Sequence, residues 1–186
     1  MNILHAKIYG EDKPGTPLLV FHGLFGMLDN WGSFGKEMGE FFPVHLIDLR
    51  NHGKSFHSEE MSHDDLAHDI THYMEFHHLE TANLLGHSLG GKAVMQFAIK
   101  YPLKLEKLIV VDISPKAYPP HHQGILKALE SVDFEKVNTR QEVEEVLHQY
   151  IPEKSVIQFL AKNLYWKEDK KLDWRFNLKT LSEKYS

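Results

Sequence analysis

The sequence predicts an α/β fold: a mostly parallel sheet flanked by helices, with a helical cap. Three observations predict it. From residue 3 to residue 111, short apolar runs alternate with helix-period stretches, the pattern of βαβ units and a parallel sheet. Within that region, Thr81 to Tyr101 reads as a strand, a tight turn and a helix with a serine at the apex. After Pro115 the rhythm changes, and helical segments follow one another with no strand between them.

The first strand is predicted over Ile3 to Tyr9, ended by Gly10 and the turn-rich EDKPGTP. Leu18 to Phe21 is a purely apolar second strand, as expected for one buried on both faces, and it feeds His22-Gly23-Leu24-Phe25-Gly26. Asp29-Asn30-Trp31 then leads into a helix through Met38. Val44 to Ile47 is the third strand, followed by the loop from Asp48 to Ser55. A helix covers about Ser62 to His77, with Ser62 as its N-cap. Ala82, Leu84 and Leu85 mark the next strand. Beyond the turn, Ala93, Val94, Phe97 and Ala98 mark one apolar helix face, and Pro102 ends that helix. Lys107 to Val111 is the last strand of this region, running into Asp112-Ile113-Ser114-Pro115.

Beyond it, helices are predicted over Gln123 to Ser131, Arg140 to Tyr150 and Pro152 to Asn163. Thr139 and Glu142 form a capping box for the second, and Pro152 suits the first turn of the third. Leu172 to Leu178 is dense in aromatics. The expected division is a core over 1–115, a cap over 116–180 and the start of a return to the core over 181–186.

The chain has 186 residues, 42% hydrophobic and 25% charged, enough for a globular fold with a real core. A formal net charge of -5 argues against nucleic acid as a partner. There is no cysteine, hence no disulfide framework and no thiolate metal site. The first residues lack the apolar core of a signal peptide and no run approaches a membrane span, so no membrane partner is expected and the cytoplasm is the default location. Among the 14 histidines, His68 and His72 stand at i, i+4 beside Asp65 and Asp69, the spacing of a metal pair. They fall mostly opposite Leu66, Ile70, Tyr73 and Met74, so a solvated face is the better reading. No metal and no cofactor is assigned.

Gly86-His87-Ser88-Leu89-Gly90 fits G-x-S-x-G, and its spacing has a steric cause. A nucleophile on a sharp strand-to-helix turn is held in a strained conformation, so the residues two before and two after it must be small. The helix behind it favours developing negative charge through its free N–H groups and dipole. The plain alternative is an ordinary glycine turn. An acyl-transfer serine also needs an oxyanion hole, a base, and an acid to orient the base. The glycines of HGLFG let the backbone pass close to a bound carbonyl oxygen, and the N–H groups of Leu24 and Leu89 are the natural donor pair.

These blocks resemble the α/β-hydrolases, and most closely the YbfF-like esterases. The resemblance is carried by His22 to Gly26 with Asn30-Trp31, by Asp48-Leu49-Arg50-Asn51-His52-Gly53-Lys54-Ser55, by Gly86 to Ala93, by Val111 to Pro115, and by Trp174-Arg175-Phe176-Asn177. It implies an α/β-hydrolase fold lacking its C-terminal part, with Ser88 as nucleophile, Leu24 and Leu89 as oxyanion donors and Asp112 as the acid of the triad. A turn residue opening Asp-Ile-Ser-Pro is the other reading of Asp112. Asp48 also ends a strand, but its loop reads as scaffold. The family's catalytic histidine lies in a late loop after two further strands, outside this chain, so no base is named; His121 and His122 carry no motif. Cap aromatics are expected to line an acyl pocket or to form the cap's own core, with Phe25, Trp166 and Trp174 as the substrate-binding candidates. The implied activity is hydrolysis of carboxylic esters, or of acyl-CoA thioesters, by a serine enzyme without cofactor or metal. The alternative is a non-catalytic binding protein on the same scaffold or an inactive fragment. Dehalogenase and epoxide hydrolase chemistry on this fold calls for an aspartate nucleophile, so Ser88 argues against both. Without its neighbour, the strand Lys107 to Val111 is expected to be an exposed apolar edge, with self-association as the hazard.

Overall fold

The strands β1 (Ala6–Tyr9), β2 (Leu18–Phe21), β3 (Val44–Ile47), β4 (Ala82–His87) and β5 (Leu105–Val111) form one sheet in the order β1-β3-β2-β4-β5. Only β1 is antiparallel; the pairs β2–β3, β2–β4 and β4–β5 are parallel. This is a computed structural model, and it describes residues 2–118 and 122–185. Two units divide the chain, Met1–Lys116 and Ala117–Ser186.

In the first unit the central strands are buried on both faces, as their unbroken apolar sequence requires. Side chains alternate across the sheet. Leu18, Val20, Val44, Leu46 and Leu85 pack on one side with Leu28, against Trp31, Phe34 and Met38 from the short 3-10 turn Leu28–Trp31 and from α1 (Gly32–Met38). Two further helices, α2 (His63–Phe76) and α3 (Leu89–Lys100), pack against each other and bury Leu66, Ile70, Tyr73, Met74, Val94 and Phe97. Ser62 caps α2 in a box with Asp65, its hydroxyl accepting Asp65 N–H at 3.1 Å. From β2 the chain goes outward to β3, then crosses back to β4 on β2's other side. The loops after β2 and β4 therefore diverge at the carboxyl ends of two adjacent strands, where open α/β sheets hold their ligands.

The strand β5 pairs only with β4 among the described residues. Leu108 is 39% and Ile109 43% exposed along it. An apolar strand with one open edge is a site for pairing with another strand.

The second unit contains α4 (Gln123–Glu130), α5 (Arg140–His148), α6 (Lys154–Ala161), an antiparallel hairpin of β6 (Leu164–Trp166) and β7 (Leu172–Trp174), and α7 (Leu178–Tyr185). Thr139 and Glu142 make the expected capping box. Pro152 stands outside α6, whose N-cap is Glu153. The second unit is thus not wholly helical. The bulky residues of LYW and LDW suit a pleated surface better than a helix, and Lys170 turns the chain between them at φ 62°. Leu181 is fully buried in the middle of α7, which packs on α4 in the same unit. Among the described residues, no helix is long and apolar enough to cross a membrane.

Candidate active site

Ser88 stands between β4 and α3 as the N-cap residue, at φ 51° and ψ -112°. That backbone conformation lies outside the regions open to an L-residue and costs about 1–3 kcal/mol. The surrounding backbone holds it there. Ser88 N–H donates to the Val111 carbonyl at 3.0 Å, and the Ser88 carbonyl accepts Lys92 N–H at 3.1 Å. Gly90 N–H donates to the His22 carbonyl at 3.1 Å. A Cβ on Gly86 would run into the Gly90 backbone, and one on Gly90 would run into the carbonyls of Phe21 and His22. Both glycines of the motif are therefore places where two backbones cross.

Sheet register brings two other loops to Ser88. Phe21 pairs with Gly86, so Gly23 continues alongside Ser88. A Cβ on Gly23 would lie 3.2 Å from Ser88 Cβ and 2.9 Å from His87 Nδ1. On the other side His87 pairs with Val111, which puts Asp112 beside Ser88. Asp112 takes φ 53°, a left-handed conformation that aspartate tolerates. Its side chain is 88% exposed, with Oδ2 4.0 Å from His87 Nε2.

The N–H groups of Leu24 and Leu89 have no hydrogen-bond partner among the described residues. Leu89 is the first residue of α3, where the helix leaves its N–H groups unsatisfied. No hydrogen bond within the described residues engages Ser88 Oγ.

A buried polar network braces the loop carrying Leu24. Asp48 accepts Leu28 N–H on Oδ1 at 2.7 Å and Lys54 N–H on Oδ2 at 2.9 Å. Burial pushes its carboxyl up from the usual range, against those two donors. Asp48 thus serves the loop as scaffold. His52 Nε2 accepts Phe25 N–H at 3.2 Å, and His22 Nε2 accepts Leu49 N–H at 3.0 Å. Their Nδ1 atoms lie on carbonyls, Arg50 O at 2.9 Å for His52 and Gly23 O at 2.8 Å for His22. Burial disfavours the imidazolium in both, lowering His22 to about 4 and His52 to about 3. Arg50 ties the loop after β3 to α2 through a bidentate pair with Asp69, at 2.5 and 2.7 Å. The paired glycine–histidine blocks HGLFG and NHG were legible in the sequence, but this cross-bracing was not.

Of the other named residues, Phe25 is buried, at φ 59°. Trp166 is 60% exposed at the end of β6. Trp174 lies in the second unit's own core, stacked on Phe176 at 5.3 Å and edge-on to Phe134 at 5.5 Å. His122 is the N-cap of α4, and His121 falls outside the described residues. His68 is exposed and His72 half-buried, and the described residues hold no group of three or more His, Asp or Glu able to bind a metal ion.

A family model described as alpha/beta hydrolase fold matches residues 16–142. Esterase YbfF of Escherichia coli strain K12 is 33% identical over 183 residues, covering 98% of this chain and 70% of that protein. The sn-1-specific diacylglycerol lipase ABHD11 of Danio rerio is 37% identical over 187 residues, covering 96% of this chain and 59% of that protein. A solved structure titled marine microorganism esterase superposes with a TM-score of 0.94 at 39% identity, covering 98% of this chain and 72% of that one. The chain thus spans between 59% and 72% of the length of these relatives.

Proposed function

The chain belongs to the α/β-hydrolase fold family, among the YbfF-like esterases, and on that premise we propose that it works as a serine hydrolase of carboxylic esters or acyl thioesters. In this reading Ser88 Oγ attacks the acyl carbonyl. The tetrahedral oxyanion is held by the N–H groups of Leu24 and Leu89, with the N-terminal end of α3 behind the second. Collapse expels the alcohol or thiol and leaves an acyl-serine, and water then releases the acid. Asp112 orients the general base, a histidine outside residues 1–186.

The observation that carries this reading is Ser88 itself. A serine is kept at φ 51°, ψ -112° on a strand-to-helix turn between two N–H groups that the fold leaves without a partner. A turn with no task beyond joining β4 to α3 would not retain that strain. A binding protein without catalysis on the same scaffold is the alternative reading. Turnover of p-nitrophenyl butyrate separates the two, measured on protein that includes the segment carrying the base histidine. The hydrolase reading predicts turnover that falls by several orders of magnitude in Ser88→Ala. No turnover in the wild type, or equal turnover in the variant, supports the binding protein.

A further inference from the structure

The Leu24 N–H lies in the peptide plane it shares with the Gly23 carbonyl, and the next peptide plane leaves from the Leu24 Cα. The first plane holds the Gly23 carbonyl and the Leu24 N–H, which point in opposite directions across a trans peptide. That carbonyl has two partners, His22 Nδ1 at 2.8 Å and Gly26 N–H at 2.9 Å. The second plane holds the Phe25 N–H, which donates to His52 Nε2 at 3.2 Å; Phe25 itself stands at φ 59°. Each histidine therefore grips one of the two planes.

The rings are themselves held from both ends. A carbonyl oxygen only accepts, so the proton of each ring sits on Nδ1, facing Gly23 O in His22 and Arg50 O in His52. Each Nε2 is then a bare acceptor, filled by a backbone N–H of the opposite loop. The loop after β2 lends His22 to Leu49, and the loop after β3 lends His52 to Phe25. The rings meet edge to face at 5.0 Å, and both are almost wholly buried. Neither bonds Ser88 Oγ, and both Nε2 atoms are already occupied, so neither is placed to take its proton.

We propose that His22 and His52 are positioning residues of the hydrolysis, which lock the peptide planes on either side of Leu24 and so aim its N–H at the developing oxyanion. This rests on the reading of Ser88 as nucleophile and Leu24 as oxyanion donor.

The test uses the full chain and p-nitrophenyl butyrate, with n-butylboronic acid as the oxyanion mimic and butyrate as the ground-state comparison. His52→Leu removes the acceptor of Phe25 N–H. His52→Gln places an amide oxygen near the position of Nε2 and restores it. The expected result for His52→Leu is kcat lowered about 10- to 100-fold, less than or comparable to deleting an oxyanion donor outright, with KM changed by no more than about twofold. Boronate affinity should fall in parallel while butyrate affinity stays, and His52→Gln should recover most of both losses. A role in folding alone would not follow that split. Unchanged kcat and boronate affinity in His52→Leu would overturn the proposal, as would a loss that the Gln variant shares in full while remaining folded. Should His52→Leu fail to fold, His52→Gln and the parallel His22→Gln still decide through the same ratio of boronate to butyrate affinity. Ser88→Ala measured alongside keeps the two readings apart. If it retains turnover the nucleophile is wrong; if it is inactive while His52→Leu keeps full kcat, only the positioning role fails.

Discussion

At Gly90 the missing side chain is the requirement. Any Cβ there would enter the carbonyls of Phe21 and His22, which are backbone and cannot move aside without moving β2. Gly90→Ala should therefore destabilise the protein by about 1–3 kcal/mol, the range of overpacking in a close-packed region. Urea unfolding checks this, and an unchanged midpoint would mean that the crossing is looser than it stands here. Asp112 answers to a different measurement. It sits beside Ser88 by register and is largely exposed, so its loss should spare the fold. Asp112→Asn should leave the urea midpoint within about 0.5 kcal/mol and lower kcat by up to about 10⁴-fold if it orients the base. An unchanged kcat would reduce Asp112 to a turn residue. The glycines and Ser88 were legible in the sequence because steric need leaves a spacing behind. The partners of His22 and His52 were not, because a side chain reaching a backbone N–H of another loop leaves no periodic trace.

Elements of the first unit followed their sequence closely wherever one period dominated. Leu18 to Phe21 and Val44 to Ile47 appear as strands with the expected limits, and α2 starts where Ser62 caps it. Ser62→Ala removes the acceptor of Asp65 N–H and should cost about 1 kcal/mol, measurable as a lower urea midpoint with activity kept. The first strand came out shorter than Ile3 to Tyr9, beginning at Ala6, where pairing with Ile47 begins. The β6–β7 hairpin is not legible in the sequence, because three-residue strands are too short to show an alternation. The Trp174 ring packs on Phe134 and Phe176. LKTLSEKY reads as helix in either setting, and α7 packs on α4 within the second unit.

Across the molecule, the first unit holds its buried histidines neutral. Burial lowers His22 and His45 to about 4 and His52 to about 3, against an unfolded value near 6.5. In His45 the Nδ1 atom also meets the Tyr73 hydroxyl at 2.8 Å. A folded pKa below the unfolded one means that the unfolded chain takes up protons first as the pH drops. Stability should therefore be level with respect to these groups above about pH 6.5, and fall progressively from there towards pH 4, by up to about 1.4 kcal/mol per pH unit for each group. Urea midpoints between pH 7.5 and 4.5 measure the slope. His45→Gln, which cannot titrate, should flatten it by about one proton's worth. An equal slope in that variant would show that His45 is not held neutral by the fold.

The central claim is that the strained turn after β4 presents a nucleophile, and covalent capture tests it most directly. Treatment of the full chain with a fluorophosphonate, followed by peptide mass spectrometry, should place a single phosphonyl group on Ser88 and none on the Ser88→Ala variant. Modification at another residue, or none under conditions where the wild type hydrolyses esters, would contradict the account.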